Sequence, residues 1–110
     1  MIDITIKPLS INEAFEGRRF KTSKCKEYED LLWYLLPKRE MIRGMVRVDY
    51  RFFLKNHSKA DSDNLIKVLQ DMLVKKKYIE DDRFIYYHTV AKIPSKVNRI
   101  QIEIKPYSFN

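Results

Sequence analysis

Six acidic residues lie between Asp61 and Asp82, around one short helical pattern, in a chain that is otherwise strongly basic. The whole chain has a formal net charge of +7, but the segment 55–82 contains as many acidic as basic residues. Lysine and arginine attract a polyanion, whereas carboxylate oxygens are ligands that hold divalent cations such as Mg²⁺. A basic chain with one carboxylate cluster is what a metal-dependent nuclease requires.

The spacing of the acidic residues limits which of them can meet. Asp61 and Asp63 are two residues apart at the start of the helical pattern. Asp63, Lys67 and Asp71 follow at intervals of four, which places them on one side of a helix. Because Mg²⁺ keeps several waters, two or three carboxylates from different elements suffice to hold it. The pair Asp81-Asp82 can fold back beside the start of the helix only if the strand after it pairs next to the strand that leads into the motif.

The same residues also have ordinary structural explanations, and spacing alone leaves both open. Asp61 or Asp63 could cap the helix, since aspartate is a preferred N-cap residue and complements the helix dipole. Lys67 and Asp71 could form a solvated i, i+4 ion pair worth a few tenths of a kcal/mol. The basic run 75–77 would suit the negative C-terminal end of the helix.

Hydrophobic periodicity predicts the elements that position the cluster. The predicted elements are a strand at 2–6, a helix at 24–36, a strand at 46–54, a helix at 63–77, and strands at 85–93 and 100–104. Thr22 or Ser23 could cap the first helix, and the turn 94–98 should join the last two strands as a hairpin. The order strand-helix-strand-helix-strand-strand predicts one α+β domain over residues 1–110, in which two helices pack on a small mixed β-sheet.

The same periodicity predicts which side chains share one face of each element, and the helical stripes are expected to face the core. The predicted stripes are Tyr28, Leu31, Leu32 and Leu35 in the first helix, Leu65, Val68, Leu69, Met72 and Leu73 in the second, and Ile85, Tyr87, Thr89, Ala91 and Ile93 on one face of a strand. Cys25 is expected to pack in the first helix. The aromatic residues expected mostly in the core by their spacing are Tyr28, Trp33, Tyr34, Tyr50, Phe52 and Phe53, although Phe53 lies on the strand face opposite Phe52.

Composition narrows the class of protein. With 45% hydrophobic and 13% aromatic residues, a chain of 110 residues builds one globular core with little area left for a separate substrate lobe. The single cysteine, Cys25, cannot form an intramolecular disulfide, and no run of about 18 apolar residues is present. We therefore expect a soluble cytoplasmic protein with neither a membrane nor a small-molecule partner.

One longer pattern adds to this interpretation. The spacing Asp-x-Asp-Asn-x-x-Lys, an acidic residue four positions later, an apolar stripe and a closing Asp-Asp pair before a strand resembles the RusA family of Holliday junction resolvases, which are small endonucleases common in phages and prophages. The resemblance is close over roughly residues 55–90 and looser elsewhere. The matching residues are Asp61, Asp63, Asn64, Lys67, Asp71, Asp81 and Asp82.

The resemblance implies a RusA-like fold and specific roles for these residues. Asp61, Asp63 and Asp82 would bind Mg²⁺, for which Mn²⁺ should substitute, and Lys67 would be the catalytic lysine. Asp82 is favoured over Asp81 because the family's essential residue is the second of the pair. Asn64 and Asp71 match recurrent positions and are expected to support the geometry of the helix and the site.

Basic and histidine residues near the motif are candidates for contacts with DNA. The resemblance suggests the stretch before the motif, and Asn12 and the arginine pair 18–19 match polar and basic family positions. His57 and His88 are not spaced as a metal-binding pair, and His88 falls on the polar face of its strand. The predicted DNA-binding residues are Arg18, Arg19, Lys55, His57, Lys59, Lys75, Lys76 and Lys77.

The predicted protein is a Mg²⁺-dependent crossover junction endodeoxyribonuclease that resolves four-way DNA junctions in recombination and repair. A C₂ homodimer would present two sites to two strands of like polarity. The alternatives are a non-catalytic basic nucleic-acid-binding module and a nuclease with another branched substrate. The sequence leaves open the nucleotide step that is cut, the number of metal ions, the subunit that Lys67 serves, and the roles of Asp71 and Asp81.

Overall fold

The computed structural model describes residues 1–17, 20–55 and 61–108. The helices are α1 (Ile11–Ala14), α2 (Ser23–Leu35) and α3 (Lys67–Lys75), with 3₁₀ turns at Ser62–Leu65 and Asp82–Phe84. The strands are β1 (Ile2–Ile4), β2 (Phe15–Glu16), β3 (Phe20–Lys21), β4 (Val46–Leu54), β5 (Ile85–Pro94) and β6 (Arg99–Pro106). Within the described ranges, none of the helices combines the length and the apolar composition that crossing a bilayer requires.

Four strands form a mixed sheet in the order β1-β6-β4-β5, and β2 and β3 form a separate two-stranded sheet. β4 pairs in parallel with β5, from Val46 beside Ile85 to Leu54 beside Pro94, and antiparallel with β6. Because α3 lies between β4 and β5 in the chain, these elements form a β-α-β crossover. The predicted α+β class with a small mixed sheet is confirmed.

The predicted hairpin between the last two strands is wrong, because β4 lies between β5 and β6. The connecting turn instead contacts the end of β4. The N–H of Ser95 donates to the carbonyl oxygen of Leu54 at 3.0 Å, and Oδ1 of Asn98 accepts from the N–H of Lys55 at 2.7 Å. A short turn therefore joins two strands that flank a third one.

Side chains from α2 and α3 pack in one hydrophobic cluster with alternate residues of β4. The cluster includes Val46, Val48, Tyr50 and Phe52 of β4, Cys25, Tyr28 and Leu32 of α2, Val68, Leu69, Met72 and Leu73 of α3, and Ile100 and Ile102 of β6. The stripe predicted for the second helix is confirmed. The alternation of β4 leaves its other side chains on the opposite, open face of the sheet.

Two details of the helices differ from the prediction. In α2, Leu31 is 45% exposed, and Trp33 and Tyr34, expected mostly in the core, are 51% and 83% exposed. Cys25 is fully buried, so the helix turns a stripe that begins at Cys25 toward the core. Thr22 caps α2 by accepting the N–H of Cys25 at 3.1 Å. The second predicted helix does not run continuously from 63 to 77, because residues 62–65 form a 3₁₀ turn before α3 begins.

β5 also differs from a simple alternating strand. An irregularity in the pairing places Ile85 beside Val46 but Tyr87 beside Arg47. Ile85 therefore lies on the core side, where it packs against the hydrophobic cluster, while Tyr87 lies on the open side. The predicted single face from Ile85 to Ile93 is wrong at its first residue. As a consequence, His88 lies beside Val48 on the side of the sheet that faces the helices.

Candidate active site

The crossover determines how the acidic motif is held. The strand that follows Asp81-Asp82 pairs directly beside the strand that leads into the motif, which is the condition that the sequence set for a single site. Asp61 occupies the N-cap position of the first 3₁₀ turn, where its carbonyl oxygen accepts the N–H of Asn64 at 3.0 Å. Its side chain makes no capping hydrogen bond. Helix capping therefore does not account for the carboxylate of Asp61, and both Asp61 and Asp63 are exposed to solvent.

Lys67 lies at the start of α3 with its ammonium group toward Asp71. The distance between Lys67 Nζ and Asp71 Oδ2 is 3.6 Å, and the side chains are 53% and 40% exposed. The predicted i, i+4 pair is thus present. An ion pair this exposed is worth only about 0.3–0.5 kcal/mol, so it barely restricts the ammonium group from binding a phosphate.

An open cavity of about 330 Å³ lies between α3 and β5. Its lining residues are Asp63, Ile66, Lys67, Gln70, Asp71 and His88. The cavity therefore brings together the predicted ligand Asp63, the predicted catalytic Lys67 and the supporting Asp71. We name it the acidic cleft.

Two further residues of this site, Gln70 and His88, were not among the predicted site residues. Gln70 Oε1 accepts a hydrogen bond of 3.3 Å from the buried Tyr50 hydroxyl, and the His88 ring packs edge-on to Tyr50, with 6.3 Å between centroids. Tyr50 thus supports two side chains of the cleft from beneath. The polar-face position of His88 was visible in the sequence, but only the pairing with Val48 reveals that this face borders α3.

Asp81 and Asp82 have different surroundings. The side chain of Asp81 caps the second 3₁₀ turn by accepting the N–H of Arg83 at 3.3 Å. A hydrogen bond shared with Asp81 raises the pKa of Asp82, and burial and the charges of Asp81 and Asp71 raise it further. The hydrogen bond from Asp82 and that from the Arg83 backbone lower the pKa of Asp81. Asp82 is therefore the member of the pair whose pKa is raised, whereas Asp81 caps the turn through its side chain.

The donor chemistry of these side chains suits a hard cation, because they offer carboxylate oxygens. Within residues 1–17, 20–55 and 61–108, however, no group of three or more His, Cys, Asp or Glu side chains is arranged so that it could hold a metal ion. The carboxylates that act on the pKa of Asp82 are Asp81 and Asp71 and not Asp61 or Asp63. The chain thus presents the predicted ligands at two ends of α3 without gathering them at one point.

Comparison with known proteins identifies the family. The sequence profile described as "Endodeoxyribonuclease RusA" matches residues 9–105. A protein of Aquifex aeolicus (strain VF5) named "Crossover junction endodeoxyribonuclease RusA" is 33% identical over 98 residues, 83% of this chain and 75% of that protein. The chain belongs to the RusA family. A protein of Lactococcus phage r1t named "Crossover junction endodeoxyribonuclease rusA" is 45% identical over 47 residues, 43% of this chain and 36% of that protein.

The RusA match extends beyond the motif that first suggested it. The resemblance was close over roughly residues 55–90, whereas the profile also covers α1, α2 and most of β6. The RusA-like α+β fold predicted from the sequence is therefore confirmed across the chain.

The described basic residues that were predicted to contact DNA are either paired within the chain or exposed. Lys75 Nζ lies 3.3 Å from Glu29, and Lys76 Nζ donates to the carbonyl oxygen of Trp33 at 2.5 Å while lying over its ring. These two lysines join α3 to α2. Lys77 is exposed and ends the helical segment with a positive φ of 63°. Arg18, Arg19, His57 and Lys59 lie outside the described residues, and the side chain of Lys55 is exposed at the end of β4.

A second cavity, of about 530 Å³, lies on the other side of Lys67. Its lining residues are Ile11, Asn12, Phe15, Gly17 and Lys67. We name it the N-terminal cavity. Among the described residues, Lys67 is the one that lines both cavities, and the described lining of the N-terminal cavity contains no carboxylate, unlike that of the acidic cleft.

Proposed function

We propose that this chain is a Mg²⁺-dependent, structure-selective endonuclease that resolves four-way DNA junctions by paired phosphodiester hydrolysis. The observation that carries the proposal is an exposed lysine, Lys67, in the wall of a cleft with Asp63 and Asp71, in a chain of the RusA family. Two relatives bear the name crossover junction endodeoxyribonuclease. A DNA junction is an intermediate of recombination and repair, so we place the activity in those processes. We also place the protein in the cytoplasm.

Each side chain has a distinct role in this proposal. Asp61, Asp63 and Asp82 supply oxygen ligands to the cation, and the exposure of Asp61 and Asp63 leaves them accessible. These carboxylates would hold the cation, which would supply Lewis-acid chemistry to a water molecule and to the scissile phosphate. Lys67 places a positive charge beside that phosphate, where it stabilises the transition state or orients the attacking water. Asp71 is a weak, exposed ion-pair partner of Lys67 at 3.6 Å, and Asp81 caps the turn that presents Asp82.

The proposal requires Asp61 and Asp63 to approach Asp82 when the metal and the DNA bind. Paramagnetic Mn²⁺ tests this directly in the protein without DNA and then with an uncleavable junction. We expect Mn²⁺ to broaden the NMR amide signals of residues 61–63 and of Asp82 in the junction complex. Broadening confined to Asp71, Asp81 and Asp82 would replace the proposed ligand set with another one.

The active species is proposed to be a homodimer. Paired incision needs two sites, and a chain of 110 residues has too little surface to build a core and also enclose a branched DNA. Sedimentation equilibrium in moderate salt should give twice the mass of one chain. A monomer at micromolar concentration that still cuts junctions symmetrically would contradict the proposal.

Junction binding should depend on salt and not on the catalytic metal. The net charge of +7 attracts phosphates, whereas the carboxylates of the motif serve the chemistry. The gel-shift affinity for a four-way junction should fall steeply between low and high salt, and it should remain when Mg²⁺ is omitted. Affinity that requires Mg²⁺ would assign the carboxylates to DNA binding.

The deciding experiment incubates the purified protein with a synthetic four-way junction and a linear duplex of matched sequence, with and without Mg²⁺. We expect symmetric nicks in the junction that require Mg²⁺, and Mn²⁺ should substitute. Junction binding without incision in either metal would indicate a non-catalytic nucleic-acid-binding module. Cleavage of flaps or RNA in preference to the junction would indicate a nuclease of other specificity on the same scaffold.

A further inference from the structure

The N-terminal cavity has the form of a ligand site that the proposed reaction does not yet use. Its volume of about 530 Å³ lies in the range of about 300–1,000 Å³ typical of sites that hold small organic groups. We propose that this cavity holds one unstacked nucleobase of the DNA strand whose phosphate binds at Lys67. The inference rests on the proposed function, because the DNA strand must enter through the acidic cleft.

The walls of the cavity are fixed by hydrogen bonds. Ser10, which is 5% exposed, caps α1 by accepting the N–H of Glu13 at 3.3 Å. Thr22 at the start of α2 donates its hydroxyl to the carbonyl oxygen of Glu13 at 2.6 Å, and its N–H donates to the carbonyl oxygen of Ala14 at 2.9 Å. The segment that carries Asn12 and Phe15 is therefore tied to the longest helix. This attachment gives the cavity a defined shape before DNA binds.

The residues that line the cavity can contact both the flat face and the hydrogen-bonding edge of a nucleobase. Phe15 packs partly against the core and offers an aromatic ring, which can stack on any nucleobase. Asn12 is exposed, and its side chain makes no hydrogen bond with the described residues, so its amide has a donor and an acceptor available. Ile11 adds an apolar contact. An aromatic face beside a free amide is the combination that reads an unpaired base.

The position of Lys67 connects this cavity with the chemistry. The same side chain lines the acidic cleft and the N-terminal cavity. A phosphate paired with the ammonium group would therefore lie at the boundary, and its own nucleoside can extend into the N-terminal cavity, whose described lining residues include no carboxylate. The acidic cleft would repel a second phosphate unless a cation is present, whereas the N-terminal cavity would not. The two spaces thus separate the reacting phosphate from the base next to it.

We name the proposed nucleobase site in the N-terminal cavity the seat. Photochemical cross-linking tests this site without requiring cleavage. 5-Iododeoxyuridine is placed at one nucleotide at a time around the crossover of a synthetic junction, and the complex is irradiated without metal. We expect the peptide containing Phe15 to cross-link at one or two adjacent nucleotide positions. Phe15→Leu should reduce that cross-link at least about tenfold, because the aromatic partner is lost while an apolar side chain remains.

A matched control lies on the same two-stranded sheet. Phe20 pairs beside Glu16, is 73% exposed and does not line the cavity. Phe20→Leu should leave the Phe15 cross-link unchanged. Circular dichroism melting of both variants establishes that they fold. A junction that is bound and cut while its cross-links avoid Phe15 would overturn the seat and leave the nuclease proposal intact.

Asn12→Ala tests whether the seat distinguishes bases. Junctions with randomised sequence at the positions next to the cut should show a base preference for the natural chain. The variant should flatten that preference by about fivefold to a hundredfold at one position, the range that a base-reading hydrogen-bond pair provides. An unchanged preference would refute a reading role for Asn12.

Single-stranded DNA separates the seat from the proposed function. If the protein shows no selectivity for junctions and no cleavage, yet the Phe15 cross-link forms with an unpaired strand, the seat is supported and the resolvase proposal fails. If single strands and junctions both bind without any Phe15 cross-link, the seat is overturned. Selectivity and cleavage report on the function, and the cross-link reports on the cavity.

Discussion

Two carboxylates on the central crossover, Asp49 and Asp82, have opposite surroundings. Asp49 lies on the open face of the sheet at 6% exposure. It accepts hydrogen bonds from the Thr89 hydroxyl at 2.5 Å and from Arg47 at 3.1–3.3 Å. Burial alone would raise the pKa of Asp49, but these bonds from Thr89 and Arg47 outweigh it, and the pKa is lowered.

Asp82 is exposed and has other acids as its electrostatic neighbours. Its pKa is raised by the hydrogen bond with Asp81, by a slight loss of hydration and by the charges of Asp81 and Asp71. A third carboxylate, Glu29, follows the pattern of Asp49, with Lys21 at 2.9 Å and Lys75 at 3.3 Å. Carboxylates that stabilise this fold are therefore satisfied by donors within the chain. Asp82 instead has the acids Asp81 and Asp71 as neighbours that raise its pKa, a situation that a bound cation would relieve.

Asp82→Asn should produce the largest change in the rate of junction cleavage. We expect single-turnover junction cleavage to fall by at least about a thousandfold, because a metal ligand is lost, while junction affinity stays equal or improves as one negative charge is removed. Asp81→Asn is the matched control and should retain cleavage within about tenfold, since Asp81 caps a turn. Cleavage at the natural rate in Asp82→Asn would remove Asp82 from the ligand set. Loss of both binding and cleavage would assign it a structural role.

Lys67→Ala should come next. The exposed pair with Asp71 contributes only about 0.3–0.5 kcal/mol, whereas losing transition-state charge stabilisation costs about 3–4 kcal/mol, or a few hundredfold in rate. We expect an unchanged thermal midpoint and at least about a hundredfold slower single-turnover cleavage at saturating Mg²⁺. Lys67→Arg should recover little, because the planar guanidinium does not replace an ammonium group.

Lys75→Ala provides the comparison for Lys67. Lys75 is also half-exposed on α3 and paired with a carboxylate, but it lies outside the acidic cleft. At saturating protein its loss should change the cleavage rate by no more than a few fold. If Lys67→Ala also cleaves within a few fold of the natural chain, then Lys67 is a solvated helix residue and the mechanistic part of the proposal fails.

The sequence predicted the parts of this structure that depend on local periodicity. The alternation of β4 and the stripe of α3 were correct because each has one strongly apolar face. The face of α2 was partly wrong because both Leu31 and Cys25 are apolar, and the pattern does not distinguish small rotations of the helix. Such a choice depends on which side chains the rest of the core accommodates.

Other features depend on contacts between distant segments. The one-residue irregularity between β4 and β5 moves Ile85 to the core side and changes which residues of β5 border the cleft. No period in the sequence reveals it, so His88 was not assigned to the site. The spacing predicted that Asp63 and Lys67 lie on one side of the helical segment, and both line the acidic cleft, while their catalytic roles stay predictions. The spacing did not reveal that the described residues form no group of three acidic, His or Cys side chains able to hold a metal ion.

Asp49→Ala should affect stability and leave the chemistry unchanged. Removing a buried carboxylate that accepts several hydrogen bonds should lower the free energy of unfolding by about 1–3 kcal/mol near neutral pH. Because folding lowers the pKa of Asp49, its stabilisation is fully present above its unfolded pKa of about 3.9 and is lost as pH falls through the folded pKa. The gap between the natural chain and the variant, measured by urea unfolding, should therefore narrow below about pH 4.

Asp30→Ala serves as the control for Asp49, since Asp30 is exposed on α2. It should change the free energy of unfolding by no more than about 0.5 kcal/mol at any pH. A gap for Asp49→Ala that stays constant down to pH 2 would mean that the carboxylate does not stabilise the fold through its charge. Slower junction cleavage in Asp49→Ala at equal stability would connect the open face to the reaction and end the contrast with Asp82.

Asp71→Asn should produce the smallest effects. Asp71 combines features of the two kinds of carboxylate compared above. It pairs with a donor in the chain, Lys67, at 3.6 Å, and its charge raises the pKa of Asp82. Removing that charge should lower the pKa of Asp82 in the metal-free protein, as followed by NMR titration of its carboxyl carbon, and should cost only about 0.3–0.5 kcal/mol of stability. Cleavage should fall by no more than about tenfold, because Lys67 loses only an exposed ion-pair partner and keeps its charge. A loss of cleavage as large as that of Asp82→Asn would make Asp71 a metal ligand. The carboxylate of Asp71 would then act in the reaction itself and would not only pair with Lys67.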